Sequence, residues 1–200
     1  TLVLIPGATG QLYTQIINGA PFDVLLAADD ERPTLLEKDG QALRGSRITY
    51  ALGKLILWSS DANLVDAQAS VLATTKYRFL ALANPRLAPY GRAAQEVLVN
   101  LGLWETLQKD SRIVQGENIT QTLQFVQTGN AELGLIAWSQ WLEVDPQQRG
   151  SHWEVPDHLY SPMEQQGVVL RESSAARLLL EFLQSPESKA IIRAAGYELP

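Results

Sequence analysis

Residues 47–58, Arg47-Ile48-Thr49-Tyr50-Ala51-Leu52-Gly53-Lys54-Leu55-Ile56-Leu57-Trp58, form a β-rich run longer than an ordinary strand, with a glycine at its middle. Glycine inside a strand pattern marks a bend or a close backbone approach. The run therefore predicts a strand that bends as it crosses between two halves of the molecule. On both sides of it the chain repeats one grammar of apolar run, glycine or proline break, and amphipathic helix. Toward the N-terminus, residues 2–5 are an apolar run of strand length that Pro6 and Gly7 break. Thr9-Gly10 then opens a helix with Leu12, Ile16 and Ile17 on one face, closed by Asn18-Gly19. Val24 to Ala28 is a second strand, followed by a short helix from near Pro33 to Asp39-Gly40.

Toward the C-terminus, Phe79 to Ala83 reads as a strand, residues 84–91 as a loop, and the next stretch as a helix carrying Ala94, Val97, Leu98 and Leu101. Ile113-Val114 is a short strand, about Ile119 to Gln127 a helix, and Leu133 to Trp138 a strand. Residues 143–162 shift to Asp, Pro, Gln, Gly, Ser and His and read as a linker-like return path. A β-run at 167–170, a helix at 173–184 and a last helix ending at Gly196 complete the chain. Alternating strands and helices of this kind predict parallel sheets covered by helices. The expected architecture is two α/β lobes joined by crossing segments near residues 50–56 and 157–168.

Composition narrows the function. The 200 residues are 46% hydrophobic and 19% charged, enough apolar material for one large or two small domains, which excludes disorder and coiled coil. With 22 acidic against 16 basic side chains the formal charge is -6, which repels a phosphate backbone and argues against nucleic acid. The absence of cysteine removes disulfides, thiolate metal sites and thiol nucleophiles, and leaves the compartment open. No apolar run approaches the ~20 residues that span a bilayer. The chain opens on Thr1-Leu2-Val3-Leu4-Ile5 with no polar leader, which reads as a strand already inside a fold and predicts a natural N-terminus further upstream.

Enzyme constellations are thin. His152 and His158 lie six residues apart, matching no helical metal spacing, and read as solvated loop histidines. No Gly-x-Ser-x-Gly, Walker, Gly-x-Gly-x-x-Gly or His-Glu-x-x-His pattern occurs. Asp29-Asp30-Glu31 reads as a strand-end turn whose carboxylates cap the following helix, and Trp138 and Trp141 as a packed pair. Asn118-Ile119-Thr120 fits a glycosylation sequon and equally a turn-to-helix cap.

What remains is the set of turns where strands feed helices. Ligands of open α/β sheets collect at the carboxyl ends of strands, and the helix N-termini there offer unpaired N–H groups with partial positive charge. Gly7-Ala8-Thr9-Gly10 combines glycines for close approach with a hydroxyl, and Ala88-Pro89-Tyr90-Gly91 aims the Tyr90 N–H out of a helix start. Asn118-Ile119-Thr120 offers the Ile119 N–H in the same way. One turn lies in the first lobe and two in the second, so closing the lobes gathers all three around one small anion.

These turns, in order and at these spacings, resemble the molybdate-binding proteins of bacterial ABC importers, a family of two-lobed type II periplasmic binding proteins. The resemblance rests on Gly7-Ala8-Thr9-Gly10 with Asn18-Gly19-Ala20-Pro21, on Asp23 to Asp29, and on Tyr50 to Trp58. It continues through Asn84-Pro85 to Ala88-Pro89-Tyr90-Gly91, Leu101-Gly102-Leu103-Trp104, Gly129 to Gly134 and Ile191 to Tyr197, nearly the whole chain. It implies an α/β fold whose lobes are each a central sheet flanked by helices, residues 1–53 plus 164–200 forming lobe I and residues 54–163 lobe II. It implies no enzyme and no cofactor, but a monomeric periplasmic or lipid-anchored receptor that captures molybdate or tungstate and delivers it to a membrane permease. The oxyanion contacts it implies are the Thr9 hydroxyl and N–H, the Tyr90 N–H and the Ile119 N–H, with Ala8 beside them and no direct metal-ion ligand. Thr9 stands where many members have serine, and Ala137 where some have a tyrosine whose phenol touches the anion. Members also begin with a strand and helix that precede the opening run here. Alternatives on the same fold are a transcription regulator's effector domain, which upstream DNA-binding helices would reveal, an enzyme, or a receptor for sulfate, phosphonate or an organic acid.

Overall fold

In the computed structural model, which describes residues 2–200, the run at 47–58 divides at Lys54 into two strands that belong to different sheets. The first sheet holds β1 (Val24–Ala27), β2 (Ile48–Gly53) and β8 (Met163–Val169) in the order β1-β8-β2. The second holds β3 (Leu55–Ser59), β4 (Leu80–Ala83), β5 (Ile113–Gly116), β6 (Leu133–Ala137) and β7 (Ser151–Glu154) in the order β5-β4-β6-β3-β7. The helices are α1 (Thr9–Ile17), α2 (Glu31–Lys38), α3 (Pro89–Asn100), α4 (Trp104–Lys109), α5 (Ile119–Gln127), α6 (Trp138–Glu143), α7 (Ser174–Leu183) and α8 (Pro186–Ala194). The α/β architecture of two sheets flanked by helices is as expected. The chain crosses between the sheets at Lys54 and again on the approach to Met163.

Several expectations need correction. The first sheet is antiparallel throughout its described strands, since β8 runs against both β1 and β2. Periodicity reports a buried strand but says nothing of its partner's direction. Only the second sheet has parallel pairs, β4 with β5 and with β6, while β3 runs antiparallel to β6 and β7. Residues 2–5 are in no described ladder, and Leu2, Val3, Leu4 and Ile5 are exposed over a 560 Å³ groove against β1 and α7. Thr1, part of the same predicted run, lies outside the described residues. The linker-like region contains β7, which forms an edge of the second sheet, and α4 was not foreseen. His152 is no solvated loop residue: it sits on β7 against the Trp141 and Trp138 rings at 4.2 and 5.6 Å, and burial lowers its pKa. The two tryptophans stack at 4.9 Å as foreseen, though on α6 rather than on the strand.

The main core lies on one face of the second sheet, where Leu55, Leu57, Leu80, Leu82, Leu133 and Leu135 meet Ala94, Val97 and Leu98 of α3. At about 25 cal/mol per Å² this apolar burial makes the second sheet a rigid platform for the turns above it. Two glycines let helices sit close on that platform. A Cβ at Gly91 would lie 2.2 Å from the Ala83 carbonyl oxygen, and one at Gly134 2.6 Å from the Val126 side chain. The start of α3 is therefore pinned directly over the end of β4.

Candidate functional site

Three helix starts converge at one apolar point. Ala8, the residue before α1, Ala88, the residue before α3, and Ala83 at the end of β4 form a buried cluster, and Ile119, the first residue of α5, packs on it with Leu87. Ala8, Thr9, Ala88 and Tyr90 are each no more than 5% exposed.

What these starts share is a first N–H that no protein acceptor among the described residues takes. Alanine precedes both α1 and α3, so no side-chain cap is made at either, although the Ala8 N–H donates to Gln11 Oε1 at 3.4 Å. Pro89 opens α3 and carries no N–H, which makes Tyr90 the first donor of that helix. At α5 the Asn118 carboxamide oxygen accepts from the Gln121 N–H at 2.9 Å and leaves the Ile119 N–H ahead of it. Among the described residues, the N–H groups of Thr9, Tyr90 and Ile119 donate to no protein acceptor. Such donors, buried at Thr9 and Tyr90, half-buried at Ile119 and aligned with helix dipoles, favour a negative charge.

The Thr9 side chain adds direction. Its Oγ1 accepts from the Ala28 N–H at 3.1 Å, which ties α1 to the end of β1 and leaves the hydroxyl hydrogen to be donated elsewhere. Of the sequence candidates, Ala8, Thr9, Tyr90 and Ile119 are thus brought together. Ala137 ends β6, is buried, and offers no side-chain donor.

The rim of the site joins the lobes directly. The Gly10 N–H donates to the Leu87 carbonyl at 2.8 Å, and a Cβ at Gly10 would lie 2.8 Å from that same oxygen. Arg32 Nη1 meets Asp29 Oδ2 at 2.5 Å, its N–H donates to Asp29 Oδ1 at 3.0 Å, and Nη2 reaches the Arg86 carbonyl at 3.4 Å. Both oxygens of this buried carboxylate are thereby engaged. Arg92 of α3 pairs with Glu31 of α2 at 2.6 Å, and that hydrogen bond holds the Glu31 carboxyl below its usual range. The charged side chains at the rim neutralise one another, so the donors at the convergence are neutral N–H and O–H groups.

Sequence reasoning missed the rim residues Arg32, Glu31 and Arg92, and also the other end of Tyr90. Its ring passes away from the helix start toward Gly53, where an added Cβ would lie 2.5 Å from the Tyr90 Oη and 2.8 Å from Gln165 Nε2. Tyr90 Oη is buried beside the Tyr197 phenol. Burial first, and then the neighbouring phenols of Tyr197, Tyr50 and Tyr160, raise its pKa well above the ordinary value. Among the described residues no group of acidic, histidine or cysteine side chains has the arrangement of a metal-ion site.

Comparison with known proteins gives the family and the fold. The family model of bacterial extracellular solute-binding proteins matches residues 1–198. A molybdate-binding protein ModA of Azotobacter vinelandii is 48% identical over 96% of this chain and 77% of its own length, and one of Rhodobacter capsulatus is 46% identical over 96% and 75%. The structure of an Azotobacter vinelandii periplasmic molybdate-binding protein superposes with a TM-score of 0.95 at 41% identity, covering 99% of this chain and 87% of that one. The substrate-binding domain of a molybdenum ABC transporter component from Clostridium difficile gives 0.71 at 27% identity, covering 100% and 86%.

Proposed function

The chain belongs to the bacterial extracellular solute-binding protein family, and from that membership we propose that it is a periplasmic receptor for molybdate or tungstate that serves an ABC importer. Lobe I comprises residues 1–53 and 164–200 and lobe II residues 54–163, and the protein acts as a monomer that hands its cargo to a membrane permease. The observation that carries the reading is the convergence of three helix starts whose first N–H groups have no protein acceptor, two of them preceded by alanine.

Thr9 contributes its N–H and hydroxyl, Tyr90 and Ile119 their N–H groups, and Ala8 the close apolar wall. A tetrahedral dianion that is fully deprotonated at neutral pH needs donors alone, and these suffice. Hydrogen phosphate carries a proton that needs an acceptor, and the N–H groups of Thr9, Tyr90 and Ile119 supply none. Sulfate matches molybdate in charge and donor demand, so cavity size must separate them. The distant carboxylates behind the -6 charge are screened and leave a site built on backbone dipoles little affected.

Isothermal calorimetry with molybdate, tungstate, sulfate and phosphate tests the reading. Molybdate and tungstate are expected to bind far more tightly than the other two, and affinity no better than millimolar for all four sinks it. Thr9→Ala is expected to weaken molybdate binding about tenfold, the size of one charge-assisted hydrogen bond.

A further inference from the structure

After α8 the chain returns a third time to the passage between the sheets. Gly196 follows that helix at φ +86°, and a Cβ there would lie 2.5 Å from the Trp138 indole and 2.6 Å from the Leu142 side chain of α6. Two residues on, Glu198 exchanges both backbone hydrogen bonds with Leu52 of β2, at 2.8 and 3.0 Å, and its carboxylate meets Lys54 Nζ at 2.6 Å. Lys54 is the residue at which the chain passes from β2 to β3, and its carbonyl accepts the Trp138 N–H at 2.9 Å. Between these anchors, Tyr197 Oη accepts from Ser139 Oγ at 3.1 Å. Residues 196–198 therefore join the first sheet through their backbone while lying against the first turn of α6, which follows the second sheet's β6.

That first turn of α6 leads on to both anion donors of the second sheet. Gln140 Nε2 donates to Thr120 Oγ1 at 3.5 Å, one residue beyond the Ile119 N–H, and the Tyr90 phenol is buried beside that of Tyr197. A phenol accepts as well as donates, so the Tyr197 oxygen can serve Ser139 and Tyr90 at once. The third donor, Thr9, is fixed on the first sheet, where its Oγ1 accepts the Ala28 N–H at the end of β1. We propose that Tyr197 is a positioning residue for anion binding: its phenol, held by Ser139, sets where the Tyr90 and Ile119 donors stand relative to Thr9. This rests on the oxyanion-receptor reading. Donors placed in advance spare a ligand the cost of ordering them, and groups in one polar network act as a unit rather than pair by pair. Loosening such a network shows mainly in how fast the ligand leaves.

Tyr197→Phe keeps the ring and removes the oxygen, and Ser139→Ala removes the donor that holds it. Each is expected to weaken molybdate binding about five- to tenfold, the effect of one or two lost hydrogen bonds. The loss should lie in faster dissociation by stopped-flow tryptophan fluorescence, with the association rate unchanged. The double variant should bind no more weakly than Tyr197→Phe alone, because Ser139 acts through that phenol. In the ligand-free protein, the distance distribution between spin labels on α2 and α5 should broaden in both single variants. Parent affinity in Tyr197→Phe, losses that add in the double variant, or weaker binding carried by slower association overturns the proposal, as does an unchanged distance distribution. If the parent protein binds no oxyanion, the receptor reading fails separately. The ligand-free distances then decide the role of Tyr197 by themselves, with broadening supporting it and no change overturning it.

Discussion

Two pairs of helix starts in this molecule are built in opposite ways. α7 and α8 begin behind Ser173 and Ser185, whose hydroxyls accept the Ala176 and Ser188 N–H groups at 3.3 and 3.1 Å. α1 and α3 begin behind Ala8 and Ala88, which accept nothing through their side chains. Serine is among the preferred residues at this position and alanine among the poorest, a difference of about 1 kcal/mol per helix. The serine-capped helices have no part in the proposed site, whereas both alanine-preceded starts face it. The protein gives up local stability at the two starts where a side-chain acceptor would compete with a ligand, while at α5, which also faces the site, the Asn118 cap takes the Gln121 N–H and leaves the Ile119 N–H ahead of it.

The largest effect is expected at the junction of the two uncapped starts. Gly10→Ala sets a methyl 2.8 Å from the Leu87 carbonyl oxygen and 3.2 Å from its Cα, where neither backbone atom can yield without parting the lobes. Molybdate affinity should fall by about a hundredfold or more, with thermal stability changed far less, because an alanine inside α1 is locally favourable. Ala88→Ser breaks the comparison itself by giving α3 the cap that α7 has. A serine there accepts from the second or third N–H of the helix, and the second is that of Tyr90. The variant should bind molybdate about tenfold more weakly in calorimetry while melting no lower than the parent. Ser173→Ala is its mirror image. It should cost about 1 kcal/mol in denaturant unfolding and leave the anion affinity unaltered. Loss of affinity in Ser173→Ala, or none in Ala88→Ser, would show that capping and binding are not divided in this way.

The helix starts were legible in the sequence because they are local. Gly7 and Gly10 around Ala8-Thr9, and Ala88-Pro89 before Tyr90-Gly91, announce an uncapped helix N-terminus through residue types that sit next to one another. The two-sheet α/β fold was legible for the same reason, in the bend at Gly53 and the repeated strand-helix grammar. The direction of β8 was not, since Val24 pairs with Val169 and Ile48 with Gly167 across separations that no periodicity encodes. His152 looked solvated because its neighbours in sequence are polar, but its neighbours in space are two indoles. The same limit hid the far end of Tyr90 and the rim. Gly53, Gln165 and Tyr90 meet only once both crossings are built, and Glu31 and Arg92 are 61 residues apart.

That rim pair supplies the smallest prediction. Glu31 and Arg92 are both more than two-fifths exposed, and exposed ion pairs contribute little, so Glu31→Gln should speed molybdate release by no more than about twofold. The pair nevertheless has a signature that the buried contacts lack. Hydrogen bonding to Arg92 lowers the Glu31 pKa from 4.5, so whatever the pair adds to closure is fully present above that value and lost as the pH falls through the lowered one. The parent's release rate should therefore rise in acid more than that of Glu31→Gln, and should rise with salt while the variant's does not. The Gly10 to Leu87 hydrogen bond has no charge to titrate or screen. Equal responses of parent and variant to acid and salt would assign closure to that backbone contact and to the anion, and would leave the ion pair with no part in it.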